Sequence, residues 1–97
     1  MKSFNGKVAA ITGAASGMGR TLALQLAKDG CHVSISDVDT KGLAETVKLV
    51  KAANPNIKVT SQQLDVSNRD AMYAWADQTA KDHGKVNLIF NNAGVAY

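Results

Sequence analysis

Residues 12–19, with the sequence TGAASGMG, place three glycines close together. Because glycine has no Cβ, the backbone of such a loop can turn tightly and a ligand can approach it closely. Where a helix follows the loop, its free N–H groups carry about half a positive charge and bind phosphate groups. The segment therefore predicts a diphosphate-binding loop, or more simply a tight turn between a strand and a helix.

Asp37 is the second residue with possible chemistry, because it follows Gly19 by 18 positions. This is close to the ~20 that place an acidic residue on the adenosine ribose in dinucleotide-binding units. A carboxylate accepts hydrogen bonds from the ribose hydroxyls. It would also repel a 2′-phosphate, by roughly 1 to 4 kcal/mol for unit charges about 4 Å apart. The spacing predicts NAD rather than NADP, although Asp37 could instead cap the next turn, beside Asp39 and Thr40.

Other nucleotide-binding classes fit these residues less well. A P-loop requires Gly-Lys-Ser/Thr after its glycines, and the segment 17–20 is Gly-Met-Gly-Arg. A methyltransferase can also carry an acidic residue at the end of its second strand, and it stays the weaker alternative.

The elements that must position these residues alternate regularly along the chain. Short apolar runs predict strands over 7–12, 32–37, 57–64 and 86–90. Helical patterns lie between them. The first is expected to end at Gly30, the second to begin with Thr40 as its cap, and the third to open on a capping box at 67–70. This alternation predicts βαβ units and a parallel sheet.

Apolar residues at helical spacing indicate which side chains pack in the core. Those expected on the buried helix faces are Leu22, Ala23, Leu26, Ala27, Leu43, Val47, Val50, Met72, Trp75, Ala76 and Thr79. Core packing is the expected role of Trp75, although Tyr73 and Trp75 could be partly exposed if flanking elements are missing.

The composition excludes several classes of function. The chain has 97 residues, 45% hydrophobic and 20% charged, which is typical of one globular domain. Its net charge of +3 comes from dispersed Lys and Arg, and aromatic residues make up 5%, so nucleic-acid binding is disfavoured. No apolar run approaches the ~20 residues that span a membrane. One cysteine, Cys31, suits a reducing, cytoplasmic setting, and neither His32 nor His83 has a partner at metal-ligand spacing.

Two more short motifs follow predicted strands. Asp65 and Val66 come after the third strand, and Asn-Asn-Ala-Gly occupies 91–94 after the fourth. With the glycine loop at 12–19, these motifs resemble the short-chain dehydrogenase/reductase family, whose members show Thr-Gly-x-x-x-Gly-x-Gly, Asp-Val and Asn-Asn-Ala-Gly in this order. The resemblance implies a Rossmann-like α/β fold, with four strands in the order 3-2-1-4 and three helices. Residues 1–97 would form part of an NAD(P)-binding domain, without its C-terminal catalytic part.

The resemblance also implies roles for individual residues in binding the cofactor. Asp37 would bind the adenine ribose, and Asp65 with Val66 would border the adenine ring. The residues implied on the pyrophosphate side are Gly13, Ser16, Gly17, Met18 and Gly19, and those near the nicotinamide-side ribose are Asn92, Ala93 and Gly94. NADP-preferring relatives often have a basic residue at the Ser16 position or just after Asp37, where this chain has Val38. Both positions agree with NAD.

The chain departs from the family pattern in its catalytic residues. The family uses a serine and a Tyr-x-x-x-Lys pair, whereas Tyr73 is followed four positions later by Asp77 and Tyr97 is the last residue. The 97 residues therefore carry no catalytic residue and no metal site. The expected function is the N-terminal part of an oxidoreductase that transfers hydride between NAD and an alcohol or carbonyl substrate. The alternative is a noncatalytic module that binds NAD or a partner.

Two expectations concern assembly. An apolar fourth strand at the edge of the sheet is an aggregation hazard, so the chain is expected to be the front part of something larger or to pair with another chain. By family resemblance, the full-length protein is expected to be a homo-oligomer.

Overall fold

A computed structural model describes residues 4–92 of the chain. Strands and helices alternate throughout these residues, as the sequence predicts. In chain order they are β1 (Val8–Thr12), α1 (Gly17–Lys28), β2 (His32–Asp37), α2 (Thr40–Ala53), β3 (Val59–Gln63), α3 (Arg69–His83) and β4 (Leu88–Asn91).

The four strands form one sheet in the order β3-β2-β1-β4, and all their pairings are parallel. Both the predicted fold class and the predicted strand order are confirmed. In the register of the sheet, Thr12 at the end of β1 lies opposite Ser36 of β2 and Asn91 of β4. The carboxyl ends of the strands therefore meet at one edge of the sheet, where the chain passes from each strand toward the next helix.

Helices cover both faces of this sheet. Along β1, alternate residues belong to two separate cores: Ala9 and Ile11 pack with α1 and α2, whereas Ala10 packs with Trp75 of α3. This division follows from the period of two along a strand, which sends successive side chains to opposite faces. Every residue of β1 is buried, as expected for a central parallel strand.

Most of the predicted core residues are buried, with differences on α1, α2 and α3. Ala76 is exposed, and Leu22, Val47 and Met72 are half-buried. Trp75 is only 4% exposed, which confirms the core position predicted for it, whereas Tyr73 is 65% exposed. Trp75 reaches the face of the sheet between Ala10 and Leu64, which shields it within the described residues.

Two predicted helix caps are wrong by one residue each. Asp39, not Thr40, caps α2 by accepting from the Gly42 N–H at 3.0 Å. Asn68, not Ser67, caps α3 by accepting from the Ala71 N–H at 3.1 Å. In both cases the capping residue precedes by three positions the residue whose N–H it accepts. At this spacing the side chain reaches a first-turn N–H that has no partner within the helix.

Replacement of Asn68 by alanine tests the reassigned cap. We expect Asn68→Ala to lower the free energy of unfolding by about 1 kcal/mol, because the Ala71 N–H loses its acceptor. Urea denaturation followed by circular dichroism measures this change. Ser67→Ala serves as the control and is expected to cost less, so an equal or larger cost for Ser67→Ala would restore the capping box at 67–70.

The edge strand β4 carries an exposed apolar side chain, Ile89, at 73% exposure. The predicted association of the chain through this strand stays a prediction, and we expect light scattering to detect it at increasing concentration. Ile89→Lys should reduce association, because a charge at an edge strand opposes pairing. Ser61→Lys, on the polar opposite edge strand β3, is the matched control. A monodisperse monomer at all concentrations would count against association.

Candidate cofactor-binding site

A cleft of about 450 Å³ opens at the carboxyl ends of the strands. Its lining residues are Gly13, Ser16, Asp37, Val38, Leu64, Asp65, Val66 and Asn92. The chain order of the sheet reverses beside this cleft, because β2 and β3 lie on one side of β1 and β4 on the other. In open α/β sheets, ligands bind at this kind of switch point.

The glycine loop forms one wall of the cleft. Gly13 and Gly17 have φ values of +65° and +57°. The loop therefore turns through backbone conformations that residues other than glycine rarely adopt. Ser16 is the N-cap of α1, but its side chain makes no capping hydrogen bond. Within the described residues, this leaves first-turn N–H groups of α1 for another acceptor, at the positive end of the helix.

Gly19 permits α1 to begin directly beneath the loop. A Cβ on this buried residue would lie 2.1 Å from the carbonyl oxygen of Gly13 and 2.9 Å from Nδ2 of Asn92. No side chain other than hydrogen fits against a backbone oxygen at that distance. Gly19 therefore brings together the loop, the helix and the end of β4, which are distant in the sequence.

Asp37 contacts both the loop and the turn that follows β2. Its Oδ2 accepts from the Ala15 N–H at 2.9 Å, and its Oδ1 accepts from the Asp39 N–H at 3.0 Å. Asp37 thus stabilises the next turn, as the structural alternative predicted. Each carboxylate oxygen can accept a further hydrogen bond, so the carboxylate can still bind a hydroxyl group in the cleft.

Asp65 and Val66 form the opposite wall, after β3. The Ser67 hydroxyl donates to Oδ1 of Asp65 at 2.7 Å, and the Ser67 N–H donates to the same oxygen at 2.9 Å. These two hydrogen bonds lower the pKa of the Asp65 carboxyl group, so it stays ionised at neutral pH. Two carboxylates, of Asp37 and Asp65, consequently line the same cleft.

Thr12 joins the ends of β1 and β4 at the base of the cleft. Its hydroxyl donates to Oδ1 of Asn91 at 2.9 Å and accepts from the Asn92 N–H at 2.9 Å. The side chain is only 1% exposed, so both hydrogen bonds are shielded from water. Asn92 is thereby held at the cleft.

The structure brings six of the predicted site residues to the cleft: Gly13, Ser16, Asp37, Asp65, Val66 and Asn92. Gly19 lies buried beneath the loop, whereas Gly17 and Met18 are exposed and are not among the residues that line the cleft. Ala93 and Gly94 lie outside the described residues. Sequence analysis did not identify Leu64 as a lining residue, although its place at the end of a predicted strand was a usable signal.

The histidines and the cysteine have structural roles away from the cleft. Nδ1 of His32 accepts from the Lys58 N–H at 2.9 Å, and Nε2 of His83 lies 2.9 Å from the Thr60 hydroxyl. Cys31 is buried, which raises the pKa of its thiol to about 11, so it stays protonated at neutral pH.

In residues 4–92, no cluster of three or more His, Cys, Asp or Glu could hold a metal ion. The helices described are all too short or too polar to cross a bilayer.

Comparison with known proteins agrees with this geometry. The family model for short chain dehydrogenases matches residues 7–97. The chain belongs to this family. It is 50% identical over 97 residues to a putative oxidoreductase, SadH, of Mycobacterium tuberculosis, and the match covers all of this chain but 34% of SadH.

Solved structures that are similar in sequence share the fold of this chain. One is a short-chain dehydrogenase/reductase from Burkholderia phymatum in complex with NAD, which is 43% identical with a TM-score of 0.84. The match covers 92% of this chain and 31% of that one. Another is NAD⁺-bound xylitol dehydrogenase, 33% identical with a TM-score of 0.90, over 97% of this chain and 35% of that one. The chain thus spans about a third of the length of these relatives.

Replacement of Gly19 by alanine tests the close packing beneath the loop. We expect Gly19→Ala to lower the free energy of unfolding by about 3 kcal/mol, because neither the Gly13 carbonyl nor α1 can move aside cheaply. Gly17→Ala is the control, since its Cβ would meet no atom within 4 Å and only its positive φ would be strained. Its cost should be about 1 kcal/mol. Equal costs in urea denaturation would contradict the packing argument.

Proposed function

We propose that this chain is the cofactor-binding part of an NAD-dependent short-chain oxidoreductase that transfers hydride between NAD and an alcohol or carbonyl substrate. The observation that carries the proposal is the cleft at the switch point, with an uncapped helix N-terminus on one wall and Asp37 on the other. The two similar solved structures that hold NAD support it. In this proposal residues 1–97 form part of a larger NAD-binding domain in a cytoplasmic, homo-oligomeric protein.

The glycine loop would hold the pyrophosphate. Ser16 makes no capping hydrogen bond, so first-turn N–H groups of α1 can donate to phosphate oxygens instead. Gly13, Gly17 and Met18 belong to the same loop and would contribute backbone rather than side-chain contacts. The positive end of the α1 dipole favours the negative charge of the diphosphate there.

The acidic wall of the cleft would select NAD. Asp37 would accept hydrogen bonds from the ribose hydroxyls, and its charge would repel a phosphate at the 2′ position. Asp65 adds a second negative charge to the same wall. Neither Ser16 nor Val38, which both line the cleft, carries a positive charge to offset them.

The end of β4 would face the nicotinamide side of the cofactor. Asn92, held by the Thr12 hydroxyl, would lie near that ribose, followed by Ala93 and Gly94. When bound, NAD supplies a nicotinamide ring that accepts or donates hydride. Tyr73 lies on α3 and is not among the residues that line the cleft, so it is not placed to act as an acid or base there. A noncatalytic NAD-binding or partner-binding module is the alternative, and a hydride-transfer assay on the full-length protein separates the two.

Cofactor titration with Asp37 variants tests the proposal. We expect the full-length protein to bind NAD more tightly than NADP, and Asp37→Asn to narrow that preference about tenfold, the equivalent of ~1.4 kcal/mol of lost repulsion. Asp37 also accepts a hydrogen bond from the Ala15 N–H of the loop, so its replacement is expected to weaken the binding of both cofactors. The ratio of the NAD and NADP affinities, rather than either affinity alone, therefore tests the proposal. Calorimetric titration with NAD and with NADP measures both affinities.

Asp39→Asn is the matched control for this experiment. It removes the same charge two positions away, from an exposed residue that is not among those lining the cleft. Its NAD preference should equal that of the wild type. Equal weakening of NAD and NADP by Asp37→Asn would mean that Asp37 has only a structural role, and a wild-type full-length protein that binds neither cofactor would refute the proposed function.

A further inference from the structure

The glycine loop consists of two halves with opposite surroundings. Ala14 and Ala15 are buried, whereas Ser16, Gly17 and Met18, which follow directly, are exposed. We call Ala14 and Ala15 the anchored half and residues 16–18 the exposed half. The N–H groups proposed to bind phosphate belong to the exposed half, so their direction depends on how the anchored half is held.

All four backbone polar groups of the anchored half are hydrogen-bonded to protein. The Ala14 N–H donates to the Ser36 carbonyl at 3.1 Å, and the Ala15 N–H donates to Asp37 at 2.9 Å. These two bonds tie the anchored half to the end of β2. The Ala14 carbonyl accepts from the Thr46 hydroxyl at 2.7 Å. The Ala15 carbonyl accepts from Nη2 of Arg20 at 2.6 Å.

Arg20 connects the loop to α2. Besides the Ala15 carbonyl, its Nη2 donates to the Gly42 carbonyl at 3.0 Å, and its Nε donates to the Thr46 hydroxyl at 2.9 Å. Thr46 is fully buried, so this hydroxyl is shielded from water. The planar guanidinium thus makes three directed contacts at fixed angles, which the single ammonium of a lysine cannot reproduce.

Gly42 allows this arrangement by bringing α2 against the loop. A Cβ there would lie 2.8 Å from the Ala15 carbonyl oxygen and 2.9 Å from the Ala15 Cβ. The groups that Arg20 contacts are neutral, a hydroxyl and two carbonyls, and therefore do not cancel its charge. The guanidinium adds positive potential behind the loop, where the diphosphate would bind.

We propose that Arg20, together with Thr46, is a positioning residue for the diphosphate subsite. The pair holds the carbonyls of Ala14 and Ala15, so that the exposed half presents its N–H groups to phosphate. This inference rests on the proposed function, because it assumes that the cleft binds a dinucleotide. It predicts that the pair affects the diphosphate part of the affinity and leaves the adenosine part unchanged.

Titration of the full-length protein with three ligands, NAD, ADP and adenosine, tests the inference. Adenosine lacks phosphate, so it reports on the acidic wall alone, whereas ADP and NAD also engage the loop. We expect Arg20→Gln and Arg20→Lys each to weaken NAD and ADP about tenfold, comparable with the loss of one hydrogen bond to a charged group. Adenosine affinity, measured by NMR titration, should change less than about twofold.

Thr46 supplies a matched pair of variants. Thr46→Val keeps the shape of the side chain but removes the hydroxyl, and we expect it to weaken ADP and NAD as the Arg20 variants do. Thr46→Ser keeps the hydroxyl and should retain their binding. Arg69→Gln removes an equal charge from the start of α3, on the other face of the sheet, and should leave all three affinities unchanged. If Arg20→Gln fails to fold in urea denaturation, the Thr46 pair and Arg20→Lys still decide the question.

The outcomes separate this inference from the proposed function. Equal weakening of adenosine, ADP and NAD would mean that Arg20 and Thr46 only stabilise the fold, and would overturn the inference. Wild-type affinity in Arg20→Lys would also overturn it, because charge alone would then suffice. A wild-type full-length protein that binds none of the three ligands would refute the proposed function itself.

Discussion

The complete burial of β1 is the constraint on which the rest of this structure depends. A strand buried on both faces needs a parallel neighbour at each edge and helices above and below. The chain meets this need by placing β2 and β3 on one side and then crossing to β4 on the other. That reversal leaves a cleft at the carboxyl ends, so packing of the core and formation of the site have the same origin.

The parts of the fold that could be predicted are those encoded locally. The order and type of the elements follow from periodicity and from glycines at element ends, and the strand order follows from the family pattern. The caps could not be located to the residue, because Asp39 and Thr40, like Ser67 and Asn68, are adjacent residues that both can cap. Which residue acts depends on the angle at which the chain enters the helix, and tertiary packing sets that angle.

The candidate site shows the same division. Residues whose backbone or carboxylate lines the cleft lie directly after predicted strands, and sequence motifs identify them. The residues that support the loop belong to no such motif. Thr46 stands 26 positions after Arg20, in the middle of a helix, and no motif marks either residue. Their role follows only from the packing of α1 against α2, which Gly42 makes close enough for hydrogen bonding. Sequence reasoning therefore identifies the residues that touch a ligand better than those that orient them.

Positive and negative charges lie at different parts of the cleft, a separation that the net charge of the chain does not show. A cationic guanidinium and a helix N-terminus lie at the loop, whereas the carboxylates of Asp37 and Asp65 lie at the other wall. A ligand suited to both would place a negative group at the loop. It would place hydroxyl groups, but no phosphate, beside the two carboxylates. Asp37 connects the two ends, because the carboxylate that faces the cleft also holds the Ala15 N–H of the loop. Recognition of the ribose and the position of the diphosphate loop are therefore physically coupled through one side chain.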